Sequence, residues 1–295
     1  MRDHQYPQSL APTSEIASRL GLKRSRPGEY RGACPCCSYA GAAVLDERHG
    51  RPLLWCASCA DKAGLAAALR SAGGGTLPAP RAERLPRINR ADRAARLARA
   101  KAIWDGGERI EADTPAGLYL TRRRIEHVMA SPALRWRRDV PHPNGGKHIA
   151  LLAAVAAPDG TLAGIQRVFL KPDGSKADCE PVKASLGEIA GGAVRLQSCS
   201  DELVVGEGIE SSAAAGALLG LPAWSAVSCG NLGKSLIMPA SVRSVVIAVD
   251  NDMAGLRAAR EAWRRWKSEG LAVRFLKPVA IRADAADIIA SRGCE

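Results

Sequence analysis

Two groups of side chains in this sequence have types and spacings suited to chemistry. The first is a set of cysteines. Cys34 and Cys37 form one C-x2-C pair, Cys56 and Cys59 form another, and 18 residues separate the two. Paired knuckles at that separation suit a zinc ion held tetrahedrally by four thiolates. The segment between them, AAVLDERHGRPLLW, reads as strand, His49-Gly50 turn, strand, which is the plan of a zinc ribbon. So small a unit cannot bury a sufficient core, and the metal would supply its folding energy. Cys36 is a spare, because pairing it with Cys34 or Cys37 breaks the two-residue spacer. Cys179, Cys199, Cys229 and Cys294 are scattered and read as small buried apolar residues.

The second group is acidic. Glu207 follows the apolar run LVVG, and Asp250 and Asp252 follow the run SVVIAV, each just ahead of a helix-like stretch. Ligands of open parallel sheets gather at the carboxyl ends of the strands. If these two strands are neighbours, the three acids share one edge. Asp284 and Asp287, in RADAADII, follow the last strand and could join them. Crowded carboxylates repel one another unless a cation intervenes. A set of oxygen ligands without histidine or cysteine favours Mg2+ or Mn2+ and phosphoryl chemistry. Capping of a helix N-terminus explains any one of these residues. It explains less well a glutamate and a D-x-D pair that both follow buried strands.

The elements that must position these groups can be read in outline. Residues 13–21 and 62–71 suggest short helices around the cysteine segment, and 72–90, rich in glycine, proline and arginine, reads as a linker. An arginine-rich helix is expected over about 91–104, and a helix over 114–126 with Thr114 capping and Pro115 in the first turn. The runs 149–157 and 161–170 flank Asp159-Gly160, a strong hairpin signal. Beyond Gly191-Gly192, apolar runs at 202–206, 223–227, 244–249 and 272–276 alternate with helix-like stretches at 209–219 and 253–269, which implies a parallel sheet covered by helices. The expected organisation is therefore α/β (α+β overall). It comprises a zinc ribbon with flanking helices (1–71), a linker (72–90), a basic mixed α/β middle domain (91–200) and a helix-flanked parallel-sheet domain (201–295).

Composition narrows the function class. The chain has 295 residues and a net charge of +12, with no apolar run of membrane-spanning length and no apolar leader at its start, so a cytoplasmic protein with reduced thiols is expected. The charge is uneven: +4 over residues 1–80, +8 over 81–200 and zero over 201–295. Such an excess is the footprint of a polyanion, most simply nucleic acid. Arginine outnumbers lysine 32 to 10, a compositional style that can also raise charge without function. The distribution predicts salt-sensitive DNA binding by residues 1–200 and little by 201–295.

The segments GEGIES around Glu207, VIAVDNDMAG around Asp250 and Asp252, and ADAADII around Asp284 and Asp287 resemble the Toprim domain. That fold is shared by bacterial-type primases, type IA and II topoisomerases and some nucleases. DNDMAG, with Ala254-Gly255 opening the helix, is closest to the primase branch, and bacterial and phage primases place a zinc ribbon ahead of it in the same order. AGLYLTRRRIE is similar to the "YL..RG" region of such primases, with Arg122-Arg123-Arg124 in place of the usual Arg-Gly. LLAAVAAPDGTLAGIQRVFL and PVKASLG are similar to their catalytic-core hairpin and downstream lysine, without the customary lysine-tyrosine-asparagine pattern. The overall likeness is to primase-like proteins of phage and plasmid type.

The resemblance implies that Glu207 is the acid/base or metal-poising carboxylate and that Asp250 and Asp252 hold Mg2+ or Mn2+, with Asp284 or Asp287 assisting. It implies that Arg167, Lys176 and Lys183 contact nucleotide phosphates or template, and that Arg122 and Arg123 lie in a nucleic-acid-binding region. Arg135, Arg137 and Arg138 surround Trp136, a pattern that grips single strands by charge and stacking or else encloses a core tryptophan. Trp263 and Trp266 are expected in the core. SCGNLGKS, with Lys234, nearly spells a phosphate loop, but Ser228 replaces its first glycine and Pro239 leaves room for only a very short helix. It reads as the loop after the second strand of the sheet, from which Lys234 could still touch a phosphate. The implied partners are single-stranded DNA template, nucleoside triphosphates and a separate replicative helicase, with no membrane. The competing readings are a Toprim nuclease or other phosphoryl-transfer enzyme, and a non-catalytic nucleic-acid-binding protein. A topoisomerase needs a tyrosine nucleophile in a cleavage domain, and Tyr6, Tyr30, Tyr39 and Tyr119 have no such context.

Overall fold

A computed structural model describes residues 11–48, 51–59, 61–74 and 90–277. The chain forms two compact units, Met1–Arg87 and Ile88–Glu295.

In the first unit, helix α1 (Thr13–Arg19) precedes four strands, β1 (Lys23–Arg26), β2 (Glu29–Gly32), β3 (Ala43–Arg48) and β4 (Arg51–Cys56), and helix α2 (Lys62–Leu69) follows them. The strands pair antiparallel in the order β1-β2-β3-β4. The expected hairpin is β3 with β4, while its His49-Gly50 turn lies outside the described residues. The β1-β2 hairpin was not legible, because KRSRPGEYRG has no apolar alternation. Its turn is made by Gly28 at φ 76°. Ile16, Ala43, Val44, Leu45, Leu54, Leu65 and Leu69 are among the buried apolar residues of this small unit.

The second unit opens with α3 (Arg90–Asp105) and α4 (Pro115–Arg122). Thr114 caps α4 as expected, its hydroxyl accepting the Gly117 N–H at 3.1 Å. Then come four antiparallel strands in sequential order, β5 (Leu134–Pro141), β6 (Lys147–Ala156), β7 (Leu162–Leu170) and β8 (Lys183–Gly187). The β6-β7 hairpin turns at Asp159-Gly160, where Gly160 adopts φ 88°. Helix α3 lies on β7 and β8, burying Ala100 and Ile103 against Ile165 and Phe169.

The chain continues through β9 (Val194–Arg195), β10 (Glu202–Gly206), α5 (Ile209–Leu219), β11 (Ala223–Ser225), α6 (Cys229–Lys234), β12 (Ser244–Ala248), α7 (Met253–Ser268) and β13 (Ala272–Leu276). The five strands lie in the order β13-β12-β10-β11-β9. The four longer strands, β10 to β13, run parallel, as the alternating pattern requires, and β9 closes the edge antiparallel to β11. One apolar core joins the two sheets of this unit: Leu151 and Val168 of the antiparallel sheet cluster with Val204, Ala213, Ala214 and Val246.

Trp266 is fully buried, whereas Trp263 is 39% exposed, which corrects the expectation that both are core. The helix turns 100° per residue, so a spacing of three places Trp263 at the margin of the buried stripe. Among the described residues, no helix is long and apolar enough to cross a membrane.

Candidate metal centres and the acidic sheet edge

The cysteine cluster follows from its knuckles. Cys34 and Cys37 lie in the turn after β2, and Cys56 and Cys59 lie at and after the end of β4. The four sulfur atoms lie within 4.8 Å of one another. Two of the separations are 3.7 Å (Cys34 to Cys59) and 3.8 Å (Cys37 to Cys56). A tetrahedron with Zn–S bonds of about 2.3 Å has edges of about 3.8 Å, so the donor set fits zinc in chemistry and in size. Backbone N–H groups of Cys36, Ser58 and Cys59 point at the Cys34 and Cys56 sulfurs at 3.3 to 3.4 Å, the contacts that stabilise thiolates. Burial and the neighbouring thiols push Cys56 up to about 12, the repulsion a divalent cation removes. Cys36, the spare, is pushed up to about 11 by burial and by Cys34, Cys59 and Asp61.

The acidic edge is built by the parallel sheet. Strands β10 and β12 are neighbours, paired from Glu202–Ser244 to Gly206–Ala248. The chain leaves β10 towards β11 on one side and returns to β12 on the other. This is the topological switch point, where such sheets bind ligands outside the carboxyl ends of their strands. Glu207 stands one residue past β10, and Asp250 and Asp252 stand two and four residues past β12. The geometry thus brings these three acids to one edge, whereas Asp284 and Asp287 lie outside the described residues.

Each of the three acids has a local partner. Glu207 accepts a hydrogen bond from the Cys229 thiol, Asp250 from the Ser211 hydroxyl at 2.9 Å, and Asp252 caps α7 by accepting the Gly255 N–H at 2.7 Å. The Ala254-Gly255 pair now has a physical reason: a Cβ at position 255 would lie 2.3 Å from the Asp250 carbonyl oxygen. Burial raises the Glu207 carboxyl above the usual carboxylate range; the Asp252 charge adds to this, and the Cys229 hydrogen bond and the Lys183 charge oppose it. Burial and the three acids around it push the Cys229 thiol far up, so it is a neutral donor. Among the described residues, only the four thiols converge closely enough to enclose an ion. The acids offer hard oxygen donors along an open edge, which fits a cation that binds through one or two carboxylates and keeps other positions for water or phosphate.

A buried pair supports this edge. Glu210, in the first turn of α5, is 6% exposed. It accepts hydrogen bonds from the Tyr119 hydroxyl of α4 and, at 3.0 Å, from the Lys183 ammonium of β8. Burial pushes the Glu210 carboxyl up, and the Lys183 charge and Tyr119 hydroxyl more than reverse it, holding it below the usual carboxylate range. Sequence reasoning missed Glu210, Cys229 and Ser211. A signal for Glu210 was present: in ESSAAAGALL, a helix of small residues otherwise fit for burial, a carboxylate demands a partner.

The basic residues separate into kinds. Lys183 lies at the acidic edge, ion-paired to Glu210 with 26% of its side chain exposed. Arg167 is 5% exposed, and its guanidinium donates to the carbonyls of Pro141, Ala184 and Ser185. Arg135 bonds the Trp104 carbonyl and lies 4.6 Å over that indole, and Arg137 is held by Asp139. Trp136 is 3% exposed, so the RWRRD segment encloses a core tryptophan with Arg138 5.0 Å over its ring. Arg122 and Lys234 are exposed, with Arg122 3.5 Å from Asp173; Arg123 lies over the Tyr119 ring, and Lys176 is half-buried beside β7. SCGNLGKS follows β11, as expected, but forms the six-residue helix α6 capped by Ser228 where a loop was expected.

Comparison with known proteins gives the same outline. A family model described as "Domain of unknown function (DUF7146)" matches residues 94–196, and the Toprim domain model matches residues 202–295. A search of curated proteins returns no match. Among solved structures, the zinc-binding and RNA polymerase domains of the Aquifex aeolicus primase superpose with a TM-score of 0.50 at 12% identity, covering 95% of this chain and 80% of that one. The primase fragment of the bacteriophage T7 primase-helicase gives 0.44 at 14% identity, covering 89% and 95%. The Escherichia coli primase catalytic core gives 0.45 at 15% identity, covering 66% and 75%. At such identities the Aquifex likeness speaks for the fold alone. The chain thus has a primase-like fold, with a cysteine cluster of zinc-ribbon kind and, over residues 202–295, a Toprim domain.

Proposed function

We propose that this chain is a DNA primase-type nucleotidyltransferase that joins nucleoside triphosphates into short primers on single-stranded DNA. The observation that carries the reading is the placement of Glu207, Asp250 and Asp252 at the switch point of the Toprim sheet, beside the Lys183–Glu210 pair. Asp250 and Asp252 would hold Mg2+ or Mn2+, with Glu207 and Asp284 or Asp287 completing the set. The metal would neutralise the phosphate oxygens of the incoming nucleotide. Glu207, held above the usual carboxylate range, is suited to exchange a proton with the attacking hydroxyl. Lys183 adds positive charge at the edge where phosphates would lie. Four thiolates would hold structural zinc, and the ribbon would meet the template. A separate helicase would open the duplex.

The test supplies single-stranded DNA, Mg2+ and labelled nucleotides to the purified chain and to its Glu207→Gln variant. Labelled oligonucleotides made only by the parent support the reading. Cleaved template would place the chain among Toprim nucleases. Neither product, with DNA binding intact, would leave a binding protein that has kept the fold.

A further inference from the structure

The outer face of α7 carries a surface that the primase reading does not use. This helix holds five basic residues and one acidic residue, although residues 201–295 as a whole are neutral. The basic side chains are concentrated on one side of the helix, with Glu261 at the border of that side. Arg257, Arg260, Arg264 and Lys267 recur at intervals of three and four, which places them on one stripe opposite the buried Ala258, Ala262 and Trp266. Arg260, Arg264 and Lys267 are exposed and Arg257 is half-buried. The fifth, Arg265, points to α6 and bonds the Leu236 and Leu232 carbonyls, so it is not part of the stripe. Two large apolar side chains share this face: Met253 is 65% exposed and Trp263 is 39% exposed. A shallow depression is lined by Met253, Leu256, Arg257, Arg260, Glu261 and Arg264, three cations to one carboxylate.

We infer that this face binds single-stranded nucleic acid, with the stripe on the phosphates and Trp263 as a stacking platform for a base. Charge complementarity selects the occupant. A run of cations spanning about 15 Å of helix fits a polyanion, and an exposed indole flanked by arginines is the pairing that holds bases without regard to sequence. The stripe also has a direction. It begins about 7.5 Å along the helix from Asp252, the residue that caps α7 at the acidic edge. A strand lying along α7 therefore leads away from the proposed catalytic centre. Net charge concealed this surface, because the acids that cancel the arginines of α7 lie elsewhere in the domain.

The inference rests on the reading that the chain binds single-stranded DNA, and its test separates the two. Fluorescence anisotropy would follow binding of a labelled single-stranded oligonucleotide to the intact protein over a range of salt concentrations. Failure of the parent to bind would overturn the reading itself. With the parent binding, the variant Arg260→Ala/Arg264→Ala/Lys267→Ala should bind roughly tenfold or more weakly at 0.1 M salt, and its log–log salt slope should fall by about 2, near 0.7 for each phosphate that the variant leaves unneutralised. Trp263→Ala should lose roughly tenfold with the slope unchanged, and Trp263→Phe should recover most of it. Because Arg260, Arg264 and Lys267 are exposed, the triple variant should melt with the parent. Trp263→Phe keeps an aromatic ring at the margin of the buried stripe and controls for packing lost in Trp263→Ala. Affinity and slope within twofold of the parent in the triple variant would overturn the inference. So would a change of oligomeric state with DNA affinity intact, which would assign the face to a protein contact.

Discussion

The cysteine cluster and the acidic edge both carry donor sets that suit a cation, and they are built in opposite ways. In the ribbon, the sulfurs already stand at tetrahedral spacing in a unit with a small core, so the metal there would complete the fold. At the sheet edge a large shared core positions the chain, and each acid is held by a neighbour: Cys229, Ser211 or the Gly255 N–H. One site would depend on its ion for structure. The other is structured in advance and leaves ligand positions open, as the proposed reaction centre would require.

That contrast can be broken in steps, beginning with the largest effect. Structural zinc contributes about 10–16 kcal/mol in small metal-folded units, more than such a unit holds in reserve. Cys56→Ala or strong chelation should therefore unfold the first unit and leave the second intact. Zinc content and limited proteolysis would show it, and protection of residues 11–74 without metal would refute it. Glu207→Gln should behave in the opposite sense. Primer synthesis should fall by about 10²–10⁴-fold, the usual worth of acid–base catalysis. The thermal midpoint should hold or rise, since the change removes a carboxylate that burial and Asp252 disfavour in its charged form. A fall in the midpoint as large as that of Cys56→Ala would mean that the acids, too, are structural.

Lys183→Met leaves Glu210 buried without its cation, and losing one partner of such a pair costs about 3–5 kcal/mol. Lys183 keeps part of its side chain in water, so the lower end is expected. The sign with pH follows from the depressed Glu210 carboxyl. Its contribution is present above the ordinary value of 4.5 and is lost as pH falls below it towards the lowered folded value, so parent and variant should converge in acid urea titrations. Gly255→Ala drives a Cβ against the Asp250 carbonyl, a strain of about 1–3 kcal/mol, and should weaken Mn2+ binding measured by electron paramagnetic resonance. The smallest effect lies away from both sites. Arg124 adopts φ 54° in the segment where similar primases carry glycine, so Arg124→Gly should gain about 1 kcal/mol in denaturant unfolding with zinc and manganese binding unchanged.

What could be read from the sequence was what is local. Knuckle spacing, the Asp159-Gly160 turn, the Thr114 cap and the acids that follow apolar runs are each decided within a few residues. What escaped was long-range. Tyr119 and Lys183 meet Glu210 across 91 and 27 residues. Cys229 reaches Glu207 across 22 residues, and no pattern in the intervening sequence announces it. The direction of a basic side chain was also hidden. Arg167 looks like Lys183 on paper, but one donates to three carbonyls and the other lies at the acidic edge, because inward and outward positions alternate along a strand and neighbours decide what each one meets. The two-residue β9 is too short to carry a period at all.

That short strand sets where the molecule can be divided. Val194 and Arg195 pair with Ser225 and Trp224, so the antiparallel edge strand of the five-stranded sheet comes from the chain segment ahead of the Toprim match. A fragment cut at residue 201 would leave β11 as a bare edge, its N–H and C=O groups free to recruit another copy, and would uncover Trp224, which is now 2% exposed. Such a fragment would report the stickiness of a torn sheet before it reported any affinity of its own. Modular exchange of this domain between proteins would have to carry residues 194–195 along with it.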